Sequence, residues 1–78
     1  MTLAERLKAI RAREGVTQAV LCAEVGLSIS TYKKYESNLR LEVSLPGVQK
    51  IAAHPRYEKY ALWLLLGYLP EQAQISAP

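Results

Sequence analysis

The chain has 78 residues, half of them hydrophobic, with ten Lys and Arg against seven acidic residues, for a formal charge of +3. This length bounds the protein to one domain, which buries only about 60% of the surface its unfolded chain exposes, and the charge is a modest bias toward an anionic partner. Aspartate is absent, the single Cys22 excludes an internal disulfide, and the longest strongly apolar run, residues 61 to 66, is too short to span a bilayer.

The first predicted element opens on a capping box, Thr2-Leu-Ala-Glu5, in which hydroxyl and carboxylate satisfy each other's orphan amides. Leu3, Leu7 and Ile10 share one helical face, with Arg6, Lys8 and Arg13 facing elsewhere, and Gly15 ends the helix. A capped amphipathic start is unlike a signal peptide. With one cysteine, it leads us to expect a reducing, cytoplasmic setting. Thr17 caps a second helix running to about residue 25, with Val16 as a hydrophobic staple, and Gly26 breaks it. Ser28 caps a third helix over about residues 29 to 37.

Residues 39 to 43 form a connector with some β-branched character but no partner strand. Ser44 then caps a fourth helix with Pro46 in its first turn. Leu45, Val48, Ile51 and Ala52 form its expected buried stripe, and His54-Pro55 ends it. A fifth helix is expected over residues 57 to 66, stopped by Gly67 and Pro70. Residues 70 to 78 read as a loose C-terminal tail after a single domain over residues 1 to 69.

Residues 17 to 38 are two short helices hinged at a glycine, the layout of a helix–turn–helix. Thr17-Gln18 opens the first helix, Leu21 follows three residues on, Gly26-Leu27-Ser28 makes the turn, and Ser30-Thr31 and Tyr35-Glu36 lie in the second. These residues resemble the Cro/C1-type (XRE family) helix–turn–helix of phage repressors. The resemblance covers about residues 3 to 69 and is densest from Gln18 to Glu36. It implies an all-α, five-helix, lambda-repressor-like DNA-binding domain.

By that resemblance the third helix is the reader, with Ser28, Ile29, Ser30, Lys33 and Lys34 as the candidates to face base edges in the major groove. A lysine at Lys34 suits guanine, and Ile29 a thymine methyl. Lys33 is as well explained by a phosphate contact or a solvated charge. Thr17, Gln18, Asn38 and Arg40 take the phosphate-binding positions. Arg6 and Lys8 either extend that basic surface or are simply solvated. Arg11 and Glu36 resemble a pair that fixes the angle of the reading helix, so Glu36→Ala is expected to destabilise the fold more than Glu24→Ala. Tyr35 is expected in the core, whereas Tyr32 is open between core and phosphate contact. Cys22 reads as a small buried hydrophobe.

The fifth helix carries more apolar surface than one small core needs. If Tyr57, Ala61, Leu64 and Leu65 fill the core, then Leu62, Trp63, Leu66 and Tyr68 face out as a partner surface, which the resemblance to repressors makes a dimer interface; the alternative is a fully internal aromatic helix. The expected function is sequence-specific transcription regulation by a homodimer on a palindromic operator in double-stranded DNA. Two rivals remain: an antitoxin-type regulator holding a protein partner through the last helix, and an interaction module without DNA binding. No cofactor or metal is expected. No paired carboxylates, glycine-rich phosphate loop or nucleophile–base pair points to an enzyme.

Overall fold

Hydroxyl side chains set where four of the helices begin. The Thr2 hydroxyl accepts from the Glu5 amide at 3.1 Å, Thr17 from Val20 at 3.1 Å, Ser28 from Thr31 at 3.2 Å and Ser44 from Gly47 at 3.3 Å. Each satisfies one of the donors that a helix start leaves orphaned. The elements that follow are α1 (Leu3–Glu14), α2 (Gln18–Val25), α3 (Ile29–Tyr35) and α4 (Leu45–Ala52), then a 3-10 turn (Glu58–Tyr60) leading into α5 (Ala61–Leu66). This architecture comes from a computed structural model that describes residues 2–37 and 43–68. The described residues are all-helical, and none of their helices is long and apolar enough to cross a membrane.

Gly15 and Gly26 end α1 and α2 with φ of 67° and 77°, left-handed conformations that cost a side-chain-bearing residue energy. At both ends the next residue folds back. The Val16 amide donates to the Arg11 carbonyl at 3.0 Å, and the Leu27 amide to the Cys22 carbonyl at 3.1 Å. The chain thereby reverses tightly enough to hold α2 and α3 as a hinged pair.

The core joins Leu7 and Ile10 of α1, Leu21, Cys22 and Val25 of α2, Tyr32 and Tyr35 of α3, Val48 and Ile51 of α4, and Tyr57 and Leu64 beyond them. Burial pushes the Cys22 thiol up, as befits an inert apolar filler. Tyr32 is fully buried, so its ring belongs to the core. Its hydroxyl is the buried side-chain polar atom left without a hydrogen-bond partner among the described residues.

Several expectations need correction. Leu45 shares the helical phase of Val48 but is 69% exposed, because it lies in the first turn of α4 beyond the edge of the core. Residues 57 to 66 are not one α-helix: three of them wind as a 3-10 turn. At about 120° per residue instead of 100°, those three rotate the following phase by about 60°. Leu65 therefore turns outward and is exposed, while Leu64 stays buried. The same rotation carries Trp63 partly inward against the core, leaving Leu62, Leu66 and Tyr68 exposed. Arg6 is half-buried, and its Nε donates to the Leu64 carbonyl at 3.0 Å, tying α1 to α5.

Gly47 is buried where α3 meets α4. A Cβ there would lie 2.0 Å from Tyr35 Oη and 2.9 Å from its ring. Alanine ordinarily favours a helix interior over glycine by about 1 kcal/mol. We nevertheless expect Gly47→Ala to destabilise by about 1–3 kcal/mol in urea denaturation, through overpacking. The loss should shrink in a Tyr35→Phe background, which removes the nearest atom.

Candidate nucleic-acid interface

The outward face of α3 follows from which of its residues the core takes. Tyr32 and Tyr35 point inward, leaving Ser28, Ile29, Ser30, Lys33 and Lys34 all exposed along one side. Ile29 is a branched apolar side chain left 42% exposed at the helix start. The Ser28 hydroxyl is already engaged, accepting from the Thr31 amide and donating to Thr31 Oγ1 at 2.8 Å. Ser30 Oγ lies 3.4 Å from it. The face thus presents two ammonium donors, a hydroxyl-lined start and one apolar contact, a mixture that can meet base edges and phosphates in one groove.

The opposite side of α3 is locked by charge. Glu36 is 4% exposed. Its Oε2 accepts from Arg11 Nε at 2.6 Å and its Oε1 from Arg11 Nη2 at 2.8 Å, a bidentate pair between α1 and the end of α3. Arg11 Nη1 also reaches the Val16 carbonyl at 3.3 Å, just before the α2 cap. Burial alone would push the Glu36 carboxyl up, but its donors, Arg11 foremost, overcome this and hold it below the usual carboxylate range. Burial, then the neighbouring Glu36, pushes the Tyr32 hydroxyl well up, so it stays protonated.

Of the four expected phosphate contacts, two lie within the described residues. Thr17 is exposed, with its hydroxyl used as the α2 cap. Gln18 is half-buried, and its Nε2 donates to Glu36 Oε1 at 3.2 Å. Asn38 and Arg40 fall outside the described residues. Lys50, not anticipated, donates to the Gly26 carbonyl at 3.3 Å and so sets a cation against the turn between α2 and α3.

A second charged cluster fastens the helix–turn–helix from behind. Arg56 Nε donates to Glu14 Oε1 at 3.1 Å, its Nη1 to Glu24 Oε2 at 2.9 Å, and its Nη2 to the Glu14 carbonyl at 3.1 Å. The Tyr57 hydroxyl donates to Glu24 and the Tyr60 hydroxyl to Glu14, both at 2.5 Å. Lys59 adds an ion pair to Glu14 at 3.1 Å. Sequence reasoning placed Tyr57 in the core as apolar filler and missed this cluster. The available signal was a cation and two phenols within five residues, opposite two otherwise unassigned glutamates.

These two clusters predict different behaviour. Glu36→Ala leaves Arg11 uncompensated, so a loss on the order of 3 kcal/mol is expected in urea denaturation. Glu24 is itself paired, which makes the exposed Glu58 the better reference. Glu58→Ala should change stability by less than about 0.5 kcal/mol, with Glu24→Ala between the two.

The Glu14 carboxyl is held down to about 2 from an ordinary 4.5, chiefly by the Tyr60 hydroxyl and then by Arg56 and Lys59. The Tyr57 hydroxyl and Arg56 lower Glu24 as well. A lowered carboxyl contributes stability that is complete above its unfolded value and is lost as pH falls through the folded one. The melting temperature should therefore drop as pH falls from about 4.5 toward about 2. In Arg56→Met that drop should be shallower.

A family model described as a helix-turn-helix domain matches residues 2–52, more than half of the chain. No curated protein and no solved structure matches the sequence significantly. The matched span takes in all of α1 to α4, including the Arg11–Glu36 pair and the outward face of α3, and stops short of the Arg56 cluster's cations and phenols. The chain belongs to the helix-turn-helix domain family.

Proposed function

We propose that this protein is a sequence-specific DNA-binding transcription regulator that binds double-stranded DNA without catalysis. The observation that carries the reading is the outward face of α3. Five exposed side chains (Ser28, Ile29, Ser30, Lys33 and Lys34) lie on a helix whose other side is fixed by a buried ion pair. In this reading Lys34 and Ile29 read base edges, and Thr17 and Gln18 meet the phosphate backbone. Asn38 and Arg40 would extend the backbone contact.

The protein acts as a symmetric homodimer of the phage-repressor type. Two copies of α3 enter successive major grooves of a palindromic operator about 34–36 Å apart, and repression follows from covering an overlapping promoter. Exposed Leu62, Leu65, Leu66 and Tyr68 at the chain's far end support such self-association. The same apolar surface also favours a second reading, an antitoxin-type regulator holding a heterologous protein. A monomer by light scattering at micromolar concentration would favour that rival, and a dimer the homodimeric regulator.

Selection of bound duplexes from a random pool should return a two-fold symmetric sequence. Lys34→Ala should then lose preference at one base pair per half-site, at a cost of about 1–3 kcal/mol. A uniform loss on every sequence would make Lys34 a phosphate contact, and failure to enrich any duplex would remove the DNA-binding reading.

A further inference from the structure

Gln18 makes its only side-chain hydrogen bond among the described residues inward, to the far end of the reading helix. That bond determines which way round its amide sits. An ionised carboxylate only accepts, so the atom facing Glu36 must be the nitrogen. Arg11 holds both Glu36 oxygens, and burial at 4% exposure leaves the carboxylate little room to swing toward water. The acceptor is therefore fixed from the α1 side before Gln18 engages it. An amide NH2 is planar, and its two hydrogens diverge by about 120°. With one spent on Glu36 Oε1, the other has a set direction and no partner of its own among the described residues.

We infer that Glu36 is a positioning residue for DNA contact: by capturing one hydrogen of the Gln18 amide, it aims the other at a phosphate oxygen beside the start of α2. The inference rests on the DNA-binding reading above and adds to it the group that orients the contact. Arg11 completes the relay, since it fixes Glu36 and also holds the Val16 carbonyl at the entry to α2. One guanidinium thus sets both the carboxylate that orients Gln18 and the backbone from which Gln18 springs. A glutamine free in solvent would lose rotamer freedom on meeting the phosphate, whereas this one has lost it already.

The test combines nuclear magnetic resonance of the free protein with binding to the selected duplex. The two Gln18 side-chain amide protons should be well separated and exchange with water more slowly than those of exposed Gln49. On adding duplex, one should shift and the other stay. Gln18→Met should weaken binding about tenfold, equally on matched and mismatched duplexes, and leave the salt slope unchanged because no charge is lost. Glu36→Asp keeps the charge but withdraws the carboxylate by one methylene. It should erase the Gln18 signature and weaken binding to a similar degree, and Gln18→Met added to it should cost nothing further.

A Gln18 amide that behaves like that of Gln49 overturns the inference, whether or not Glu36→Asp folds. Selective duplex binding unaffected by Gln18→Met overturns it while sparing the proposed function. If no duplex binds at all, both fall together.

Discussion

The angle at which α3 sits against α1 and α2 depends on one ion pair, Arg11 with Glu36. Removing two charges from water is costly, and the cost is offset only when the geometry is good and the remaining donors are met. Here the guanidinium engages the carboxylate at 2.6 and 2.8 Å and spends a third nitrogen on the Val16 carbonyl. The pair therefore tolerates little sliding. α1, the entry to α2 and the end of α3 are joined at a single point, and the α3 angle follows from it. Tyr32, fully buried beside the pair, fills the space between them.

The other fastenings act at a distance from that point. Tyr35 closes the junction between α3 and α4, its hydroxyl 3.2 Å from the Ser44 cap and its ring tight against Gly47. At the opposite end, Arg56 draws Glu14 and Glu24 together, while Tyr57 and Tyr60 turn their hydroxyls onto the same carboxylates. These cations and phenols lie beyond the family match at residues 2–52. The cluster thus braces the end of α1 against α2 from outside the matched span.

What could be read from the sequence was local or came through resemblance. Thr2, Thr17, Ser28 and Ser44 announce helix starts within four residues of the amides they satisfy. Gly15 and Gly26 announce stops by a backbone conformation. The Arg11–Glu36 pair spans 25 residues, and only the resemblance to repressors made it visible. The outward residues of α3 also came through that resemblance, since the sequence left Tyr32 open between core and phosphate contact.

What was missed depended on tertiary phase. Assigning Leu65 to the core and Trp63 to the surface assumed an unbroken 100° step from residue 57, which the 3-10 turn at Glu58–Tyr60 interrupts. Leu45 has the right period but lies past the core's edge, where it walls a shallow apolar groove of about 220 Å³ with Leu3, Val48 and Leu65. The Arg56 cluster joins residues 32 to 46 apart along the chain, and no periodicity carries that information.

If α3 is the reading element and the ion pair its anchor, proton–proton contacts across a complex with the selected duplex should reveal it. Nuclear Overhauser effects are expected from the Ile29 methyls and the Lys34 side chain to major-groove protons, with none from Tyr32 or Tyr35. Contacts confined to α5, or groove contacts from the buried tyrosines, would contradict this arrangement.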